Sequence, residues 1–102
     1  MGPNGPVSAL PRHAGRTGYG AAALERELGR LALSQPGGRN HALNASAFNL
    51  GQLVAGKALA TPEVVHSLFR VARQIGLSDP EIEATVASGL RAGMHTPRGA
   101  SR

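Results

Sequence analysis

The side chains best placed to do chemistry fall in one stretch, Pro36 to Val54, PGGRNHALNASAFNLGQLV. Gly37 and Gly38 run straight into a helical pattern that opens with Arg39, Asn40, His41 and, one turn on, Asn44. A helix N-terminus carries unpaired N–H groups and partial positive charge, so acids are favoured there and cations are mildly disfavoured. Arg39 breaks that rule. Flexible glycines, free amides and a guanidinium together make a receptor for a phosphate or another anion. A plainer reading makes Asn40 the N-cap, lets Asn44 satisfy the preceding loop and leaves Arg39 solvated.

The helix that must hold these groups is legible in the same stretch. Leu43, Ala47, Leu50 and Val54 recur at i, i+4, i+7 and i+11, one apolar stripe that has to be buried. Asn40 to Ala55 is therefore expected as a second helix, with Gly51 tolerable in its middle where a neighbouring backbone packs closely and Gly56 as its C-cap. Before it, Leu24, Leu28 and Leu31 define a first helix over roughly Gly20 to Leu33, with Tyr19 at its start. Thr61, Pro62 and Glu63 announce a third helix as N-cap, first-turn proline and dipole-matching acid. Its apolar face is Val64, Val65, Leu68, Phe69, Ala72 and Ile75, it ends at Gly76, and His66 sits at its exposed boundary. Ser78, Asp79, Pro80 and Glu81 form an S-x-x-E capping box for a fourth helix whose inward stripe is Ile82, Val86 and Leu90. Thr85 and Gly89 lie beside that stripe, and Gly93 reads as its stop.

The expected fold is all-α, a small four-helix bundle over residues 19–94 with disordered, basic tails at 1–18 and 95–102. Two Phe, one Tyr and no Trp leave a lean core of Ala and Leu, for which a stability of about 3 to 5 kcal/mol is expected. The absence of Cys excludes disulfides and thiolate metal sites and fits a reducing, cytoplasmic setting. No apolar run approaches the roughly 18 residues of a membrane span, and the start of the chain lacks a signal-peptide pattern.

A net charge of +5 invites a nucleic-acid partner, but its distribution weakens the case. Between Gly20 and Gly93 seven bases (Arg26, Arg30, Arg39, Lys57, Arg70, Arg73, Arg91) face six acids, which leaves +1. The excess sits in Arg12, Arg16, Arg98 and Arg102, and basic ends supply only salt-dependent, sequence-independent affinity. Within the helices, acids gather in N-terminal halves and most bases in C-terminal halves, as macrodipole complementarity alone produces.

Catalytic constellations are missing. Glu25 with Glu27, and Glu81 with Glu83, are spaced i, i+2, which sends their side chains to different faces. His13, His41, His66 and His95 are scattered singly, without metal-ligand spacing, and the glycines before Arg39 lack the Lys-Ser/Thr of a P-loop. The chain by itself is expected to be no enzyme and to hold no cofactor or metal.

GRNHALNASAFNLGQLVAG, together with TVASGLRAG near the end, resembles the helical segment that follows the catalytic domain in bacterial bifunctional DNA primase/polymerases of phage, plasmid and actinobacterial replication genes. The resemblance covers roughly Tyr19 to Arg98. Its most specific part is Arg39, Asn40, Leu43, Asn44, Ala47, Phe48, Leu50 and Gly51 in that spacing, supported by Ser88, Gly89 and Leu90. It implies a non-catalytic replication accessory that binds single-stranded template DNA or nucleotide phosphates beside a primase/polymerase domain, in cis or in trans. Arg39, Asn40 and Asn44 would then contact phosphate, sugar or base edges, His41 would stack or hydrogen-bond, and Arg73 and Arg91 would extend the track.

The alternative, from another class, is a structural or protein-interaction bundle of a mobile-element protein, in which the motif serves folding. A helix-turn-helix DNA binder built on the third and fourth helices is disfavoured, because Asp79, Glu81 and Glu83 would meet the phosphates. The ligand reading makes its own forecast: Arg39→Ala weakens binding of short single-stranded DNA or a triphosphate in titrations and leaves the melting temperature nearly unchanged.

Overall fold

A computed structural model of the protein describes residues 18–96. It contains α1 (Gly18–Ala32), α2 (Arg39–Ala55), α3 (Thr61–Gln74) and α4 (Asp79–Met94), with no strand among the described residues. The all-α four-helix fold is as the periodicity requires. Of the expected disordered tails, residues 1–17 and 97–102 lie outside the described residues, whereas His95 and Thr96 close the end of α4 through bonds to Arg91 and Gly93 carbonyls.

Short connections make successive helices antiparallel neighbours. α2 and α3 form the middle: each touches every other helix, while α1 and α4 lie on opposite sides and do not meet. Leu31, Leu43, Leu50, Leu68, Ile82 and Val64 are fully buried between them. Because α2 has three neighbours, its buried surface is wider than one stripe. Ser46, Gly51 and Leu53 join Leu43, Ala47 and Leu50 inside, and Val54 is left half-buried. On α3, Val71 is buried and Ile75 only partly so.

Glycines decide how closely the helices approach. A Cβ on Gly51 would stand 2.6 Å from the Leu90 carbonyl oxygen, and one on Gly89 would stand 2.7 Å from the Ala47 Cβ. One on Gly93 would fall on the Phe48 carbonyl oxygen, so Gly93 is a buried packing position inside α4 and not its stop. At the far end of α1, Gly20 meets the Ala58 carbonyl in the same way.

The helix ends shift from the expected residues for local reasons. α3 is capped by Ala60 in an extended conformation, which moves Thr61 and Pro62 into the first turn. α3 closes in a Schellman motif, with Gly76 at φ +98 and the Leu77 amide donating to the Ala72 carbonyl at 3.1 Å. α2 ends at Ala55 as expected and closes the same way, with the left-handed residue one position beyond the glycine. Gly56 is its C-cap at φ −83, and the left-handed position falls on Lys57 at φ 68, with the Ala58 amide donating to Leu53.

Glycine and its absence thus make opposite forecasts for thermal unfolding. Gly93→Ala is expected to cost about 3 kcal/mol, since backbone cannot move aside like a side-chain tip. Lys57→Gly, which relieves left-handed strain, is expected to gain about 1 kcal/mol. A Gly93→Ala variant that melts with the wild type would refute the close approach of α2 and α4.

Candidate functional site

An up-down bundle collects two helix starts and two helix ends at each pole. At one pole lie the C-terminal ends of α1 and α3 and the first turns of α2 and α4. Arg39 is the first residue of α2, after an N-cap at Gly38 that makes no side-chain capping bond. Its guanidinium does not face outward to solvent alone. Nε donates to the Ser34 carbonyl at 3.2 Å and Nη1 donates to the Ile75 carbonyl at 3.0 Å. Both acceptors sit just past a helix C-terminus, where orphan carbonyls and the negative end of the macrodipole attract a cation.

This geometry gives Arg39 a structural role beside the expected anion-receptor one. A cation at the start of its own helix is explained by the ends of two others. The side chain ties the α1–α2 loop and the α3 cap to α2, and at least two of its donors are occupied inside the protein.

Asn40 is not the N-cap either. Its Nδ2 donates to Glu81 Oε2 at 3.1 Å and to Thr85 Oγ1 at 2.8 Å, joining the first turn of α2 to the first two turns of α4. Ser78 caps α4 by accepting from the Glu81 amide at 3.4 Å, as the capping-box pattern requires. Two shallow depressions flank Asn40. One, of about 270 Å³, is bordered by Pro36, Gly37, Arg39, Ile75 and Glu81, so a carboxylate stands on its rim. The other, of about 320 Å³, is lined by Asn40, His41, Asn44, Ala84, Thr85 and Ser88.

The remaining predicted cations are elsewhere. Arg73 binds Asp79 in bidentate fashion, Nε to Oδ1 at 2.8 Å and Nη2 to Oδ2 at 3.2 Å, with its guanidinium carbon 5.3 Å from the Phe69 ring centre. The hydrogen bond, then the charge, of Asp79 raise the Arg73 pKa further. The same hydrogen bond holds the Asp79 carboxyl below its ordinary value. Stability from Asp79 is therefore present above the unfolded carboxyl range and lost as pH falls through the lower folded value, and full exposure keeps it small. Arg91, ten residues beyond Glu81 on α4, makes no side-chain hydrogen bond or ion pair among the described residues. It stands about 15 Å along the helix from the Asn40 cluster.

Of the six residues proposed to contact DNA, the structure brings Arg39 and Asn40 to one depression and Asn40, His41 and Asn44 to the next. It leaves Arg73 paired on the α3–α4 turn and Arg91 toward the other pole. No continuous cationic track joins them among the described residues.

Two things escaped the sequence. Thr85 and Ser88 complete the polar depression; Glu81, Thr85 and Ser88 at i, i+4 and i+7 form a readable stripe, but nothing in the chain says that it faces Asn40 and Asn44. Glu27, read as a dipole-matching acid, is buried instead. Its Oε2 accepts from Arg30 Nη1 at 3.3 Å and Asn49 Nδ2 at 3.2 Å, and its Oε1 is enclosed without a hydrogen-bond partner.

No helix among the described residues is long and apolar enough to cross a membrane, and no cluster of His, Asp or Glu there could hold a metal ion. No known protein family, curated protein or solved structure matches this chain.

The Arg39 contacts reverse the forecast made from the sequence. Arg39→Ala is expected to destabilise the fold by about 2 kcal/mol, because bonds from a charged donor to partly buried carbonyls are each worth roughly 1.5 to 3. For a domain this small the melting temperature should fall by about 8 to 16 °C. An unchanged melting temperature would return Arg39 to the role of a ligand group.

Proposed function

We propose that the chain is a non-catalytic helical docking module, a cytoplasmic partner or segment of a DNA-replication protein that works by contact with its primase/polymerase domain. The observation that carries this reading is the fate of the motif residues. Leu43, Ala47 and Leu50 are core, Gly51 and Gly89 set helix spacing, and Arg39 and Asn40 are engaged in bonds to other elements of the bundle. What packing leaves over is the rim of His41, Asn44 and Ser88, without Lys or Arg and exposed around one polar depression. Amide and hydroxyl donors and acceptors suit the backbone and polar side chains of a protein partner. A strand of phosphates asks for cations, since backbone charge dominates nucleic-acid affinity.

A second reading keeps single-stranded DNA or a nucleotide as the ligand. It is favoured by the first turn of α2, which no side chain caps, beside His41 and Asn44. In that case a base would stack on His41 and hydrogen-bond Asn44 while a phosphate met the open amides.

An NMR titration of the full chain with short single-stranded DNA, with a nucleoside triphosphate and with a primase/polymerase catalytic domain separates the two. Docking predicts that the catalytic domain perturbs Asn40, His41, Asn44, Thr85 and Ser88, and that any DNA effect vanishes by about 0.2 M salt. Saturable, salt-resistant shifts at residues 37–45 with DNA or nucleotide alone would overturn docking and establish the second reading.

A further inference from the structure

Four helical glycines of this protein share one property. Gly20, Gly51, Gly89 and Gly93 each lie where another element approaches too closely for a Cβ. Gly18, the first residue of α1, and Gly29, in its last third, are the exceptions: an added Cβ at either would meet nothing within 4 Å, and of the two only Gly29 lies in the helix interior. An exposed glycine inside a helix costs about 1 kcal/mol relative to alanine, and in the isolated chain nothing offsets that cost.

The face that carries Gly29 has further unpartnered features. Leu33, which continues the last turn by donating its amide to the Gly29 and Arg30 carbonyls, is 81% exposed, and Tyr19 is 61% exposed. Ala22, Arg26, Gly29 and Leu33 follow one another at intervals of four, three and four, so they line one outward stripe. Large and small residues alternate along it. Arg26 on the stripe and Glu25 beside it are exposed, with no ion pair among the described residues.

We propose that this stripe is the contact surface for a second copy of the chain, packed antiparallel, α1 against α1, about a two-fold axis. The pairs Ala22/Leu33 and Arg26/Gly29 share one midpoint in the sequence. A two-fold axis at that midpoint therefore seats each Leu33 on Ala22 of the other copy and each Arg26 stem over Gly29 of the other copy. Every large side chain meets a small one, and the isologous pairing closes on itself. Arg26 then lies one helical turn from Glu25 of the other copy, within reach of a guanidinium, so the two unpaired charges are complemented twice. Antiparallel helices also set their macrodipoles in opposition.

A single pair of helices about 22 Å long buries on the order of 700 Å², below the roughly 1,200 Å² of a standard interface, so the dimer is a weak, concentration-dependent one. The surface is separate from the docking groove, which is lined by residues of α2 and α4 and by none of α1.

The test is sedimentation equilibrium of the full chain between about 20 μM and about 1 mM, the range in which so small an interface should associate. The expected result is a weight-average mass that rises from 10.5 kDa toward twice that value. Gly29→Leu, which fills the small seat, and Leu33→Asp, which alters an exposed side chain, should each weaken association at least about tenfold, a difference of about 1.4 kcal/mol. Glu25→Arg should weaken it too, and adding Arg26→Glu to that variant should restore it. Circular dichroism checks that each variant is folded, and Leu33→Asp carries the test if Gly29→Leu is not. A mass of 10.5 kDa at every concentration overturns the proposal, as does undiminished association in a folded Gly29→Leu or Leu33→Asp variant.

Discussion

The backbones of α2 and α4 approach so closely that no side chain fits between them at three places, and the arrangement of the protein follows from that contact. Gly51, Gly89 and Gly93 provide it, with the Ala47 methyl and the Asn44 side chain facing Gly89. Close approach gives dispersion contacts along two helices without bulky residues, which is how a chain with two Phe and no Trp builds a helix pair. It also brings Asn40 and Asn44 of α2 beside Thr85 and Ser88 of α4, so the polar depression is a consequence of the packing.

Charge at the poles obeys the same economy. Each helix end leaves unsatisfied backbone groups, and here they are met by side chains from neighbouring helices as well as local caps. Arg39 answers the carbonyls that follow α1 and α3, while Asn40 engages Glu81 at the start of α4. The first turn of α2 thereby touches every other element at its pole. Its two polar residues do for the bundle what a disulfide would do in a secreted domain of this size, a constraint that a chain without Cys cannot draw on.

These assignments narrow what a ligand could use. Charge-bearing groups at the candidate site are either internally bonded or, as with Glu81, of the wrong sign for phosphate. The open groups, His41, Asn44 and Ser88, lie along the side of the α2–α4 pair. Residues separated by some forty positions in the chain become one interface in space: Asn44 and Ala47 against Gly89, and Gly51 against Leu90.

Sequence alone determined what depends on neighbours along the chain. Four helices, the inward stripes of Leu43 with Leu50 and of Ile82 with Val86, the Ser78 cap, and room for a close neighbour at Gly51 and Gly89 all follow from periodicity, capping chemistry and the missing Cβ. Tertiary structure decided what depends on partners far along the chain. Arg39 looked misplaced because one of its two compensating carbonyls, that of Ile75, is 36 residues away. Gly93 resembled a terminator until Phe48 was set against it, and Glu27 resembled a surface acid until Asn49 covered it. A local pattern fixes which way a side chain points from its own helix, but its electrostatic role belongs to whatever the other helices bring opposite it.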